Sequence, residues 1–438
     1  NVQWAKGIGE SYSEEITSVI STSDGGIIAG GYFESSSIDL GNGVTLNNSG
    51  GYDAGMIIKY DKNGVAQWAK GMGGSNDAGI YSVASTSDGG YIAGGYFESD
   101  YIDLGNGVTL TNNDSTLYAD GMIIKLDSNG NTEWAKAIGG SRGDYIHSVA
   151  ETSDGGCIAG GYFNSSSIDL RNGVTLNNNG SYDGLIIKSE LEGVPEAVIK
   201  QAKGIGESDN DQIISVFPTN DGGYIAGGYF TSSSIDLENG VTLNNNGDYD
   251  GMIIKYDSEG NAEWAKEIEA DDANSVTETR DGGYIVGGVR GGYGYTDGMI
   301  IKYDTIGNEE WIKIIDETRE VRIESVVETN DGGYIAVGYF EGESIELENG
   351  QILNNDSSWS SGMIIKYNNN GETQWGISIS AYVSVEIMSV VETQDGGFIV
   401  GGNYSSSQRV VNLGNDVILD RNNRKAGMII KYDGEGNA

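Results

Sequence analysis

The residue types best suited to chemistry are scarce in this chain, and their spacing limits what they can do. His147 is the single histidine and Cys157 the single cysteine. Nucleophilic catalysis needs a nucleophile within reach of an oriented base, and nothing in the sequence pairs these two. Carboxylates are plentiful, 65 acidic residues against 25 basic. Paired carboxylates for glycoside cleavage are therefore expected by chance, and no two stand out. The Asp61-Lys-Asn-Gly64 type of turn has the first residues of a calcium loop but not its remaining ligands or distal Glu. Calcium has a second possible place near Glu269, Asp271 and Asp272; the alternative there is an unliganded acidic loop. The grouping that points most directly to binding is Val289-Arg290-Gly291-Gly292-Tyr293-Gly294-Tyr295-Thr296-Asp297. Tyr293 and Tyr295 can stack on a sugar face while Arg290 and Asp297 hold polar groups. The bland alternative is a deletion that leaves two tyrosines exposed.

What must position such groups is a module repeated along the chain. Asp-Gly-Gly recurs with its Asp at Asp24, Asp88, Asp154, Asp221, Asp281, Asp331 and Asp395, at intervals of 64, 66, 67, 60, 50 and 64 residues. A period of that size carried by short strands predicts a propeller or an array. Each module reads as four strands. The innermost contains Ser18-Val19 or its equivalents, from Ser82-Val83 to Ser389-Val390. A tight Asp-Gly-Gly turn leads to a glycine-rich second strand such as Tyr91 to Phe97. The third is Gly-Met-Ile-Ile-Lys and the fourth carries a tryptophan. No stretch combines helical period with helical length, so the chain is expected to be all-β.

The turn before the fourth strand is the most specific signal. Asp61…Gly64…Trp68 recurs as Asp127…Gly130…Trp134, Asp257…Gly260…Trp264 and Asp304…Gly307…Trp311, with Asn368…Gly371…Trp375 as a conservative variant. This resembles the tryptophan-docking motif of quinoprotein-type propellers, in which the Trp packs against the neighbouring blade. The whole repeat, with its "DGG-Y-I-x-G-G" and "K-Y-D-x-x-G-x-x-x-W" elements, is similar to the secreted bacterial and archaeal β-propeller repeats of the SBBP type. That resemblance implies a fold and little about activity. The redox chemistry of quinoproteins is not implied, because one cysteine cannot supply an adjacent pair.

These features together predict a seven-bladed β-propeller of four-stranded blades, with residues 1–438 as one domain. The strand at about 1–8, around Trp4, is expected to complete the last blade, about 385–438, and close the ring. One outer strand departs from the repeat: after Gly193 comes Pro195, and Gln201 aligns where a Trp belongs, so an irregular strand is expected. Six modules insert a segment such as Ser37 to Leu46, read as a small hairpin around Asn42-Gly43, Asn106-Gly107, Asn172-Gly173, Asn239-Gly240 and Asn349-Gly350, with Asn415-Asp416 in the seventh. These inserts are expected to emerge on one face with the blade-to-blade connections. Their absence from the fifth module would then leave a notch floored by Arg290 and the two tyrosines.

The Tyr-Phe pairs (Tyr32-Phe33, Tyr96-Phe97, Tyr162-Phe163, Tyr229-Phe230, Tyr339-Phe340) should place one ring in the core and one outward, since neighbouring strand residues face opposite ways. The recurring serines are expected to pack where inner strands crowd. A formal charge of −40 disfavours nucleic acid and anionic membranes as partners. No run approaches the ~18 apolar residues of a membrane helix. The functional expectation is a non-enzymatic recognition or adhesion module of a prokaryotic surface protein, extracellular or at the cell surface. It would be part of a larger assembly, bind a glycan or a cell-surface protein, and need no cofactor, with calcium possible. The alternatives are a structural spacer or filament subunit and a carbohydrate-active hydrolase or lyase.

Overall fold

The structure is a computed structural model. It describes residues 1–10, 12–48, 50, 52–113, 118–170, 173–190, 198–245, 247, 249–291, 295–316, 319–357, 359–381, 384–405, 411–413, 417–419 and 424–434. Strands follow one another so regularly that the chain is read blade by blade, each strand hydrogen-bonded to the next. Blade one is Glu14–Ser21, Ile27–Phe33, Ala54–Tyr60 and Ala66–Met72. Blade two is Ala78–Ser85, Tyr91–Phe97, Asp120–Leu126 and Thr132–Ile138; blade three is Asp144–Glu151, Gly156–Phe163, Asp183–Glu190 and Val198–Ile205. Blade four comprises Asp211–Pro218, Tyr224–Phe230, Asp250–Tyr256 and Ala262–Ile268, and blade five Asp272–Glu278, Tyr284–Arg290, Asp297–Tyr303 and Glu309–Ile315. Blade six is Val321–Glu328, Tyr334–Glu341, Ser360–Tyr367 and Thr373–Ile379. Blade seven takes Ser384–Glu392, Phe398–Ser405 and Lys425–Tyr432 and adds Val2–Ile8 as its outer strand, with Ala5 opposite Ile430. Seven such sheets, all β, make the protein a seven-bladed β-propeller, and the first strand completes the last blade as expected.

The third strands are buried throughout in blades one, two and six and at all but one terminal residue in the others, which is why they read as uninterrupted apolar runs rather than alternating. The inner strands carry a bulge at one repeated place: Ile16/Ser18, Ile80/Ser82, Ile146/Ser148, Ile213/Ser215, Ile323/Ser325 and Ile387/Ser389. A bulge bends the strand and re-aims the extra side chain, here Thr17, Tyr81, His147, Ile214, Glu324 and Met388. The opposing strand accommodates it with glycine: a Cβ on Gly31, Gly95, Gly161 or Gly228 would collide with the carbonyl beside the bulge.

The serine after the bulge joins one blade to the next. Ser82 Oγ accepts from Val149 N, Ser148 Oγ from Val216 N and Ser215 Oγ from Val276 N, each at 3.1 Å. Ser389 Oγ accepts from Val19 N at the same distance. These serines therefore do more than fill space, because each accepts from a backbone N–H of the next blade's inner strand.

Contact density separates two compact units. The first is Asn1–Asn47, Met56–Ala69 and Thr279–Ala438; the second is Asn48–Gly55 and Lys70–Glu278. In the first, Trp4 Nε1 donates to Lys62 O at 3.2 Å, and its ring lies where a Cβ on Gly64 would stand, while the Trp311 ring covers Gly371 in the same way. In the second, Gln201 sits at the Trp position opposite Lys188 and donates from Nε2 to Glu259 O at 2.8 Å. Gln201 thus makes the bond that Trp4 makes with its indole; the strand from Val198 carries a register shift between Ile199 and Gln201, an irregularity that the outer strands from Thr132 and Ala262 share. Gly193 and Pro195 lie outside the described residues.

Six inserts form two-stranded hairpins, such as Ser37–Asp39 with Thr45–Asn47 and Tyr101–Asp103 with Thr109–Thr111. They leave the second strand at the end that carries the blade-to-blade connections, where Glu34 N donates to Ser13 O at 3.0 Å, and then turn back along the blade. Asn42 Nδ2 donates to Ala66 O at 2.9 Å, Asn106 Nδ2 to Thr132 O at 3.3 Å and Asn349 Nδ2 to Gln374 O at 3.3 Å. In these three hairpins the tip thus folds back to the start of its own blade's outer strand, which helps cover the alternating apolar residues (Ile38 and Leu46 in the first hairpin, both buried). Asn172, Asn415 and Asp416 lie outside the described residues.

Candidate functional site

At the Asp-Gly-Gly end the geometry is electrostatic. Thr22 Oγ1 donates to Asp24 Oδ1, which also accepts from Gly26 N at 3.0 Å and from Lys59 Nζ at 2.8 Å. The lysine is the last residue of the Met-Ile-Ile run, and the pair recurs in every blade: Lys125–Asp88, Lys188–Asp154, Lys255–Asp221, Lys302–Asp281, Lys366–Asp331 and Lys431–Asp395, at 2.7–3.1 Å. Burial is the largest single influence on these aspartates and would raise them. Hydrogen bonds from lysine, threonine and glycine N–H outweigh it and hold Asp24, Asp88, Asp331 and Asp395 at about 2. The lysine, threonine and glycine donors named here bond within the chain, so this constellation is a fastening.

The opposite ends of the strands carry the groups that can meet a ligand. Leaving the second strand, each Phe of the Tyr-Phe pairs is fully buried and each Tyr half-buried, as the alternation requires. In the second unit those tyrosines join others in a run of ring contacts. Tyr81 lies 5.3 Å from Tyr96, Tyr96 5.2 Å from Tyr145, Tyr145 5.0 Å from Tyr162 and Tyr162 5.4 Å from Tyr182. His147, re-aimed by the bulge, contacts Tyr81 at 5.1 Å and Tyr162 at 5.4 Å. Desolvation depresses it to about 4, so it is neutral at pH 7 and has an aromatic rather than a catalytic setting. Cys157 is buried in the core of blade three, its thiol pushed up to about 12 by burial.

Beside Tyr182 opens a cleft of about 620 Å³ lined by Ser141, Arg142, Asn164, Ser166, Asn178, Gly180, Ser181 and Tyr182. Its walls are set by buried carboxylates. Asp144 accepts from Ser165 Oγ at 2.6 Å and from the N–H groups of Gly140, Asn164 and Ser165. Asp211 holds Ser232, Thr231 and Glu207 in the same way, and Asp183 accepts from Asn179 N at 2.9 Å. Burial raises Asp144 to about 6; burial, then the Asp211 and Glu207 charges, raise Asp183 to about 6. These acids shape loops, and the carboxylate pairs sequence reasoning could not single out are of this kind.

In the first unit, Arg290 stands opposite Asp297 on neighbouring strands of blade five, Tyr295 is 71% exposed, and Tyr293 lies outside the described residues. Asp297 is raised by burial and by Asp316, with which it shares a hydrogen bond, against the lowering effect of Arg290. The expected grouping is thus partly brought together, with Asp316 as an unforeseen member. Residues 292–294, which would frame the expected notch, lie outside the described residues; what the missing hairpin leaves is seen on the outer strand. There Glu309 is exposed where Ala66, Thr132 and Ala262 are buried. Glu269, Asp271 and Asp272 do not form a metal-holding group, and no set of three or more His, Cys, Asp or Glu side chains does so among the described residues.

Sequence reasoning picked out Tyr295 but missed that it belongs to a recurring aromatic just before the third strand, with Tyr52, Tyr118, Tyr182, Tyr249 and Trp359. Apart from Tyr182 each is exposed. The signal was there, an aromatic two or three residues ahead of the Gly of Gly-Met-Ile-Ile-Lys in six modules.

No family model matches the chain. A stretch of 209 residues, 46% of the chain, is 25% identical to the regulatory protein FlaEY of Caulobacter vibrioides and spans 22% of that protein's length. Among solved structures, Sqt1 of Chaetomium thermophilum is similar at 10% identity over 98% of both chains, with a TM-score of 0.49. The WD40 domain of Neurospora crassa Pan2 is similar at 8% identity over 97% of each, TM-score 0.47. The Dos1 propeller is similar at 10% identity over 98% of this chain and 94% of its own, TM-score 0.46.

Proposed function

We propose that this protein is a non-catalytic recognition module of a prokaryotic surface protein, related to the secreted propeller repeats, that binds a glycan through the loop-bearing end of its second unit. The observation that carries the proposal is the cleft at Tyr182. Ser141, Ser166 and Ser181 offer hydroxyls, Asn164 and Asn178 amides and Arg142 a guanidinium beside one aromatic ring, the mixture that matches a hydroxyl-rich ligand with an apolar face. A glycan array probed with residues 1–438, with calcium and with chelator, tests it. Selective binding that weakens at least tenfold in Tyr182→Ala and Arg142→Ala, while Tyr295→Ala leaves it unchanged, supports this cleft. Loss in Tyr295→Ala alone moves the site to blade five. A blank array under both conditions overturns the glycan ligand and favours a spacer or filament role.

A further inference from the structure

The run of rings from Tyr81 to Tyr162 continues inward from the cleft but has a different chemistry. The cleft is walled by Ser and Asn; along the run the polar neighbours are acids. Asp53, Asp77 and Glu98 act electrostatically on Tyr96, and Glu98 and Asp144 on Tyr145. Asp77 lies against the backbone of Asp53, accepting its N–H at 3.1 Å. Burial and then the Asp77 charge raise Glu98, the mark of carboxylates crowded together. Burial first, and then these acids, raise Tyr96 and Tyr145, so both phenols are neutral and carry the negative ring face.

We propose that this run binds a segment of a partner protein carrying two or more arginines. A guanidinium is attracted to a ring face within ~6 Å of its centroid, and more strongly where water is excluded, as on these half-buried rings. The rings lean on one another at 5.0–5.3 Å, so a guanidinium would meet the half-exposed outer parts of the row, with Asp77 and Glu98 supplying carboxylates for its edge. The fold shows the same contact within its own chain: in blade seven Arg424 stands where the other blades have an aromatic and lies 5.4 Å over the Tyr12 ring. Arginine is favoured over lysine because its planar, weakly hydrated group stacks and forks. The inference is independent of the glycan reading.

The test is a fluorescence-anisotropy titration of the whole chain with a labelled Arg/Gly peptide, beside Lys/Gly and Glu/Gly peptides of equal length. The Arg peptide should bind best, and binding should weaken when salt shortens the ~10 Å Debye length. Tyr96→Ala and Tyr145→Ala should each weaken it on the order of tenfold. Tyr96→Phe should retain it, since the ring is what matters, and Glu98→Gln should weaken it. Glu309→Gln, an exposed acid of the first unit, should leave it unchanged. If Glu309→Gln weakens binding as much as Glu98→Gln, attraction is to net charge and the site is wrong. Absence of Arg-peptide binding, or unchanged binding in natively folded Tyr96→Ala and Tyr145→Ala, also overturns it. A positive glycan array with a blank peptide titration sinks this inference and leaves the glycan site standing.

Discussion

Each buried lysine of the third strand is a residue whose cost depends on its partner. Lys125 is 2% exposed, with Asp88 at 2.8 Å, Glu133 at 3.2 Å and the Leu126 carbonyl at 3.2 Å. Deleting the acid strands an ammonium in the core, whereas deleting the ammonium leaves Asp88, more than half exposed, to water and to Gly90 N. Asp88→Ala is therefore expected to destabilise by about 1–3 kcal/mol, below the full penalty of a buried pair because Glu133 stays close. Lys125→Met should cost clearly less, since an apolar chain of similar length fills the same space. Urea midpoints of the two variants test this; a Lys125→Met midpoint below that of Asp88→Ala would refute it. In the sequence both residues were visible seven times over, but as a turn signal and a strand terminus. Propensity and periodicity see neighbours along the chain, and this bond spans 37 residues.

The docking element makes a prediction about blades. Gly64 has φ +74° and the Trp4 ring on it, so Gly64→Ala meets both backbone strain and the indole, and should destabilise by about 1–3 kcal/mol. Gly260 has φ +80° with Gln201 over it. There Gln201→Trp should restore an aromatic lid and raise stability by up to about 1 kcal/mol. A lower melting temperature for Gln201→Trp would show that the strand after Pro195 has adapted to the smaller side chain. Blade number, strand order, the docking turn and the Tyr-Phe alternation were all legible, because each depends on local spacing. The hairpins were legible as hairpins, from Asn-Gly turns, but not in direction. Which flank covers Ile38 and Leu46 is settled by burial against a strand some twenty residues further on, and no turn chemistry encodes that. The consequence reaches blade five: Arg290 stands opposite Asp297 there, and the strand from Glu309 has no hairpin beside it among the described residues.

At the scale of the whole molecule two families of carboxylates pull stability in opposite directions with pH. The Asp-Gly-Gly aspartates have folded values lowered to about 2, so their stabilisation is complete above the ordinary carboxylate range and disappears as pH falls through it towards 2. Glu14, raised by burial to about 7, and Asp144 and Asp183, raised to about 6, work the other way. The folded state binds their protons more tightly than the unfolded chain does, so their contribution is full below about pH 4 and drains away as pH rises to about 7. A formal charge of −40 adds self-repulsion over the same rise. Stability should therefore peak near pH 4–5, between the two windows, and fall on both sides. Melting followed by circular dichroism from pH 2 to 8 checks this. Asp144→Asn should flatten the upper limb and leave the lower one intact, since the loop it anchors at Ser165 would then be held by an amide that does not titrate. A maximum at or above pH 7 in the parent protein would mean that the buried acids are ionised at little cost, and that the loops around the Tyr182 cleft are held by charge rather than by protonated carboxyls.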